Sequence, residues 1–598
     1  ETLASQMEEA YPEANKDYTF DVGKISRFSV NTYPQEDSVP TSMSVLFLGM
    51  SGAVLLIACL NLANMMLARG TARRREIAIR LSLGSGRWRL VRQLLTEGCL
   101  LSFIGGLAGL LVSAWASKLL VASLMPRLPF FTVVFDPRPD WRILLVTFCF
   151  CLFSVLVFAL GPAWRLTRTN VITELKEQVG DDSHGKVRRS LFAPRNLLVI
   201  AQLALSLALL TTAGLFARGA VKAVQANPGF SLEKLLLVET DAALSGYDET
   251  RAKQIYLGLL EKLRNLPSVQ AASFSYMVPF GLFSDSREVH KAGASADNKQ
   301  NNEGGQGGQS SYATFNIVAT DYFKTLGMPL LRGRDFNSLE MAAGTSSGAR
   351  VAIIDEPLAQ RLWAGEDPVG RQIKFSGQEE AVHIVGVVPG IRDRLENQAT
   401  EPHIYVPYGQ EQRSSVNFHV RIVADGREAE AAMLKMVQDT IRSAHPHLAI
   451  LSVQTLRQSH EEGLMVWIIK TAARLFAIFG AMALFLAVVG VYGVKAYVVA
   501  RRTREIGIRI ALGATSRDVL WMVLREGITL TAAGLAIGLG LSIAVGFAVR
   551  SVLYGVEAID PLAFTLAPLS LAGAALIACY LPARRATAIQ PMAALRCE

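Results

Sequence analysis

Two rhythms of apolar and polar residues divide this chain. Seven apolar runs, at about 43–67, 94–124, 143–164, 197–216, 475–500, 519–549 and 562–582, are nearly free of charge, and each is long enough to cross a hydrocarbon core as a helix. Between the fourth and fifth runs the pattern changes. Strand-like alternation at Lys234–Glu239, Val351–Ile354, His383–Val388 and Asn417–Ile422 interleaves with helical periodicity at Glu249–Leu266 and Arg427–Ser443. Residues 219–464 are therefore expected to form an α+β domain. Residues 1–42 read as the end of a comparable soluble domain, with Thr19–Phe28 strand-like, and residues 170–195 as a polar linker. The low-complexity stretch Ala292–Ser311 is expected to be a disordered loop.

The runs repeat. REIGIRIALG (Arg504–Gly513) follows REIAIRLSLG (Arg75–Gly84) at a spacing of 429 residues, and the same spacing carries Glu97-Gly98 onto Glu526-Gly527, Gly105 onto Gly534 and Gly109 onto Gly538. At a spacing of 420, Pro162-Ala163 and Arg165 fall on Pro582-Ala583 and Arg585, so the length difference belongs in the loop between. The expected organisation is a first half of three spans (43–169), a linker (170–195), a span at 196–218, the α+β domain, and a stalk with three further spans (465–598). The second half has a span ahead of its soluble domain that the first lacks here. A complete chain is accordingly expected to carry eight spans and two soluble domains.

Charge orients the spans. The chain is 51% hydrophobic and only 19% charged, with a net charge of +9, a balance typical of several membrane helices plus a soluble part. Arg69, Arg73, Arg74, Arg75, Arg80, Arg87, Arg89 and Arg92 face a lone Glu76 after the first run, and Arg501, Arg502, Arg504, Arg509 and Arg517 follow the fifth. By the positive-inside rule these connectors are cytoplasmic. Both soluble portions then fall on the outer side and the chain ends inside. With the basic residues accounted for in this way, and no basic and aromatic groove in the soluble part, nucleic acid is excluded as a partner.

Catalytic chemistry is hard to find. No GxxxxGK[ST] motif is present: the approach at Gly180–Lys186 continues with Val187 and follows no strand. Gly344–Gly348 has nominal Gly-x-Ser-x-Gly spacing but precedes a strand, where a nucleophile elbow follows one. His445-Pro-His447 reads as a surface turn, and His184, His290, His383, His403, His419 and His460 lack ligand spacing, so neither a catalytic nor a metal site is expected. Five cysteines lie in or near apolar runs and Cys597 is terminal, which leaves no internal disulfide for the soluble segment. Glu97 and Glu526 are intramembrane carboxylates at equivalent positions. They are expected to form structural ion pairs with nearby arginines or, alternatively, to relay protons.

The repeated connector fits a short amphipathic helix ended by Gly84 or Gly513. Such a helix can lie on lipid. Its recurrence at fixed positions exceeds what anchoring requires and suits docking to a two-fold cytoplasmic partner.

These connectors resemble those of MacB/FtsX-superfamily ABC transporter permeases. The soluble segment is similar to the MacB periplasmic core domain in NPGF (Asn227–Phe230), DYFKTLGMPLLRGRDF (Asp321–Phe336), VAIIDEPLAQRLWAGEDPVGRQI (Val351–Ile373) and HIVGVV (His383–Val388). Two fused halves resemble the duplicated orphan permeases of acidobacteria. The resemblance implies a polytopic α-helical membrane protein of two tandem FtsX-like permease halves, with an α+β MacB-like periplasmic core domain, in the bacterial inner membrane. It implies docking of a cytoplasmic ABC ATPase dimer through Arg75, Glu76, Ile77, Arg80 and Gly84, and through Arg504, Glu505, Ile506, Arg509 and Gly513, with Glu461–Arg474 as the stalk. The chain itself would need no cofactor, the ATP being used by the partner. Efflux or mechanotransmission would follow, with room for a periplasmic or outer-membrane partner. Signalling or scaffolding, or extraction of lipid or lipoprotein, are the alternatives.

Overall fold

The computed structural model describes residues 38–72, 87–127, 140–152 apart from 143 and 151, 194–281, 284–292, 310–342, 349–393 apart from 379, 400–423, 426–550 apart from 502, and 553–587 apart from 554. Helices α1 (Ser38–Ala72), α2 (Arg87–Leu124) and α3 (Pro194–Val224) come first. A sheet domain follows, with strands β1 (Leu235–Asp241), β2 (Val269–Ser275), β3 (Asp285–Lys291), β4 (Ser310–Val318), β5 (Arg332–Gly333), β6 (Arg350–Asp355), β7 (Gln372–Phe375), β8 (Val382–Val388), β9 (His403–Pro407), β10 (Ser415–Ile422) and β11 (Ala449–Thr455). Its helices are α4 (Glu249–Arg264), α5 (Tyr322–Leu326), α6 (Ser338–Ala342), α7 (Glu356–Leu362), α8 (Arg427–Ala444) and α9 (Leu456–Glu462). Helices α10 (Leu464–Arg501), α11 (Thr503–Ala511), α12 (Ser516–Val549) and α13 (Pro561–Thr587) complete the described elements.

Among the described residues six helices (α1, α2, α3, α10, α12 and α13) are long and apolar enough to cross a membrane. The apolar run at 143–164 is described only in part, with residues 144–150 helical. The N-terminal soluble tail, most of the linker, the Gly344–Gly348 loop, nearly all of the low-complexity loop and the first connector lie outside the described residues.

Helices α3 and α13 pack on each other and on both α10 and α12, and α1 packs on α3 and α10. Apolar side chains alone give little preference for association in lipid, so close backbone approach and interhelical hydrogen bonds carry specificity. Both are present. A Cβ placed on Gly534 would lie 2.7 Å from Leu203 Cβ, and one on Gly538 3.0 Å from the Ala204 backbone. Asn61 Nδ2 of α1 and Gln202 Nε2 of α3 each donate to the Leu486 carbonyl of α10 at 2.8 Å. The equivalents of Gly534 and Gly538 on α2, Gly105 and Gly109, have nothing within 4 Å among the described residues. The spacing of small residues that suggests close packing is therefore used in α12 and not in the described surroundings of α2.

By the repeat, α1 and α10 are equivalent helices, and they touch. Phe47 and Phe476, 429 positions apart, stack with ring centroids 5.0 Å apart and planes at 15°. Equivalent residues meeting each other is the mark of a two-fold relation. The α1/α10 contact thus carries the local pseudo-two-fold axis.

In the sheet domain the strand order is β11-β1-β10-β2-β4-β3-β7-β8-β6-β9, and a parallel β4–β9 pairing closes the strands from β4 to β9 into a ring. One face of β1, β10 and β2 packs with α4 and the ring interior through Val238, Phe274, Phe315, Tyr408 and Phe418. The other face packs through Tyr322, Phe323 and Leu326 of α5. Asp248 caps α4 by accepting from the Arg251 amide at 2.7 Å, and Asp355 caps α7 by accepting from the Leu358 amide at 3.0 Å. Gly333 has φ +78° and sits so close to the Val385 carbonyl that a Cβ would collide. The motifs at 321–336 and 351–373 are thus core, caps and turns of the sheet domain.

Candidate functional site: the second connector and its lever

α10 runs unbroken for 38 residues, about 57 Å at 1.5 Å per residue, more than the hydrocarbon core requires. At one end it meets the sheet domain, where Gly463 (φ −56°, ψ 149°) separates it from α9. The predicted stalk, Glu461–Arg474, therefore contains a bend at Gly463. The part of the stalk from Leu464 to Arg474 forms the first turns of α10 and runs directly into the fifth span. At its other end only residue 502 separates α10 from α11, the second connector.

The connector's lower turn is fixed by local chemistry. Gly513 lies in the left-handed region at φ +97°, and the Ala514 amide donates back to the Arg509 carbonyl at 2.9 Å, which ends α11. Thr515 and Asp518 form a capping box that starts α12: the Thr515 amide donates to Asp518 Oδ2 at 2.9 Å, and the Asp518 amide donates to Thr515 Oγ1 at 3.4 Å.

One face of α11 is anchored. Ile506, 1% exposed, packs with Val499 of α10, Val519 and Val523 of α12, and Ala583 and Ala586 of α13. The far side is open, with Ile508 exposed and Leu512 82% exposed, and Arg509 is exposed at the edge of the anchored face. Arg509 Nη1 lies 3.1 Å from Met522 Sδ. Sequence reading chose Ile506 for its place in the repeat, but the helix turns that residue inward. Ile508 and Leu512, four residues apart, supply the free apolar surface instead. The side chains of Arg504 and Glu505 lie outside those described, as do Arg75, Glu76, Ile77, Arg80 and Gly84 altogether.

Of the two intramembrane carboxylates, Glu97 has no described side chain. Glu526 lies 3.7 Å from Lys495 Nζ of α10, whose side chain is 4% exposed. The arginine next to it in sequence, Arg525, is about 100° away around the helix and cannot share its face. Sequence reading missed Lys495 because its run reads as an apolar span. The repeat held a signal, since Met66 occupies the equivalent position in the first half.

A second buried polar group went unseen in the sheet domain. His403, 2% exposed, places Nδ1 3.0 Å from Asp355 Oδ2 and Nε2 3.1 Å from Asp393 Oδ2. Burial opposes its charge, but hydrogen bonds to the two carboxylates outweigh this and raise it to about 10. Its partners are 48 and 10 positions away in sequence, so no ligand spacing could reveal it. His445 and His447 do sit on the turn that follows α8.

Long helices packed through glycines, carrying an α+β domain at one end and an amphipathic connector at the other, define a polytopic helical membrane protein of the permease kind. A family model for the FtsX-like permease C-terminal domain matches residues 48–171 and 477–591, and one for the MacB-like periplasmic core domain matches residues 197–439. The chain belongs to the MacB/FtsX superfamily of ABC transporter permeases, multi-pass proteins of the inner membrane. The macrolide export ATP-binding/permease protein MacB of Shigella sonnei (strain Ss046) is 26% identical over 295 residues, 48% of this chain and 44% of that protein. The MacB of Escherichia coli (strain K12) matches over the same shares at the same identity. The chain thus spans less than half the length of these relatives. Among solved structures, the periplasmic region of MacB from Actinobacillus actinomycetemcomitans is 18% identical, with 39% of this chain and 94% of that chain covered and a TM-score of 0.24. The extracellular domain of the noncanonic ABC-type transporter YknZ from Gram-positive bacteria is 15% identical, covering 36% and 100%, with a TM-score of 0.23.

Proposed function

We propose that this chain is the permease subunit of an ABC-type transporter, and that it couples ATP hydrolysis on a separate ATPase to movement of its sheet domain. The observation that carries this reading is the placement of α11 at the end of α10, with one residue between their described ends. A connector with one anchored and one open face leads, across a single residue, into a helix that reaches the sheet domain. A push on Ile508, Arg509 and Leu512 is passed, in this reading, to α10 and along it to the far side of the bilayer. In this reading the connectors face the cytoplasm, the sheet domain is periplasmic, and the work done is efflux or mechanotransmission. The ATP-binding function named in the MacB relatives supports a need for nucleotide chemistry that this chain takes from a partner. The permease itself then has no catalytic residue and holds no cofactor. Two connectors in one chain suit one contact on each subunit of an ATPase dimer.

Capture of the ATPase tests this directly. Arg509→Glu with Leu512→Asp is expected to strip the ATPase from the chain purified from its native membrane, while the chain stays inserted. Undiminished capture would contradict docking through this face and would favour a signalling or scaffolding role.

A further inference from the structure

The buried face of α1 is built from pairs. Phe47, Met50, Val54, Ile57, Asn61 and Asn64 follow one another at intervals of three and four residues, and the five from Met50 onwards are all buried. That spacing is the seam of a helix packed lengthwise on another. Residues three apart along it are alike: Phe47 with Met50, Val54 with Ile57, Asn61 with Asn64.

The two asparagines differ in what they touch. Asn61 Nδ2 donates to the Leu486 carbonyl of α10, beside Gln202 Nε2 of α3, which donates to the same oxygen. Both amides sit where Gly490 of α10 lacks a side chain, since a Cβ there would collide with Asn61 Oδ1 and with the end of Gln202. Gly490 is the repeat equivalent of Asn61, 429 positions on, so the notch and the amide it admits meet on the pseudo-two-fold axis. Asn64, one turn along α1, is 5% exposed, and neither its Oδ1 nor its Nδ2 has a hydrogen-bond partner. Its own equivalent, Gly493, has nothing within 4 Å and so receives no side chain. An amide shut away with both ends unpaired is costly. A seam with one fixed arrangement gains nothing from it.

We propose that α1 is a slide with two positions, and that the Gly490 notch takes Asn61 in one and Asn64 in the other. A shift of α1 by three residues towards its N-terminal end, about 4.5 Å at 1.5 Å per residue, brings Asn64 to the Leu486 carbonyl and to Gln202 Oε1, which is unpaired in the described position. The same shift brings Ile57 to the place of Val54, and Met50 to that of Phe47 against the Phe476 ring. A methionine adapts to such a place, and its sulfur packs well on an aromatic ring. Like replaces like along the seam, and displacement by about one turn is one of the ways packed helices switch. α3 stays with α10, because Gln202 and Ser206 both donate to α10 carbonyls. The slide rests on the permease reading only for what drives it, because its two positions need neither nucleotide nor partner.

The test uses the full chain in nanodiscs, its native cysteines replaced by serine, without ATPase or nucleotide. Phe47→Cys with Phe476→Cys reports the described position, and Met50→Cys with Phe476→Cys the shifted one, each read as the initial rate of oxidant-driven disulfide formation. Both pairs are expected to close. Asn64→Leu, which removes the amide that the shifted position needs, is expected to slow the pair at 50 and 476 about tenfold and to leave the pair at 47 and 476 unslowed. Asn61→Leu is expected to tip the ratio of the two rates the other way. Asn64→Ala repeats the comparison with a smaller side chain if the leucine variant does not fold. Failure of the pair at 50 and 476 to close, or the same rate with and without the Asn64 amide, overturns the proposal. Arg509→Glu with Leu512→Asp should leave both rates unchanged, so loss of ATPase docking and loss of the slide are separate outcomes.

Discussion

His403 and His419 both lie inside the sheet domain, one held charged and one held neutral. Both are buried, but His403 is held between Asp355 and Asp393, whereas His419 has only Ser275 Oγ at 2.8 Å from its Nε2. Burial alone therefore lowers His419 to about 3, while His403 is raised to about 10. The unfolded chain titrates both near 6.5. His403 contributes stability that is full below about 6.5 and lost as pH rises towards 10, because the folded form then holds a proton that the unfolded form has released. His419 acts in the opposite sense: the unfolded form binds the proton first, so stability falls as pH drops from about 6.5 towards 3. Thermal unfolding of the sheet domain within the whole chain should show that His403→Gln is destabilised near neutral pH and loses the alkaline decline of the wild type. A wild-type slope retained in that variant would remove His403 as its source. In the membrane, Lys495→Met should leave Glu526 without its buried partner and cost about 3 kcal/mol. Lys495→Met with Glu526→Gln should recover much of that loss, as measured by unfolding in detergent. Full additivity of the two changes would show that the pair does not interact.

At the scale of elements, the sequence was most readable where one period ran long enough to be heard. The helical repeat of Glu249–Leu266 became α4, and the alternation at His383–Val388 became β8, with ends displaced by no more than two residues. Span α10 was found by its hydropathy, but the bend at Gly463 that parts it from α9 was not visible, because the stalk read as one stretch from Glu461 to Arg474. The inward face of α11 was equally hidden: Ile506 and Ile508 look alike in sequence, and only packing on α12 and α13 decides which is buried. The Asp355–His403–Asp393 group and the Lys495–Glu526 pair depend on strands and helices distant in sequence, so no local pattern could announce them. The glycines of α12 were legible as small residues but not as the docking face for α3. Gly538→Leu should force α12 from Ala204 and Leu207 and cost about 1–3 kcal/mol, read as earlier unfolding in detergent. Leu at Gly540, which has nothing within 4 Å, should be neutral by the same measure. Equal effects at both positions would argue against a specific α3–α12 seam.

Across the whole molecule, the duplicated sequence becomes two halves that meet through equivalent helices. Phe47 on Phe476 marks the axis, and Asn61 and Gln202 converge on one carbonyl of α10 beside it. The halves are not identical, since Lys495 answers to Met66 and the described polar pairing of Glu526 has no lysine counterpart in the first half. The proposed coupling to ATP hydrolysis predicts that α1 shifts against α10 as force from the connectors passes to the sheet domain. The most direct measurement is ATP turnover by the captured ATPase on a nanodisc-borne chain in which Phe47→Cys and Phe476→Cys are introduced and the native cysteines replaced by serine. Oxidation is predicted to tie the two helices, leave the ATPase bound and slow turnover several-fold, with reductant restoring it. Turnover unchanged by a completed cross-link would contradict the coupling of ATP hydrolysis to movement between the halves.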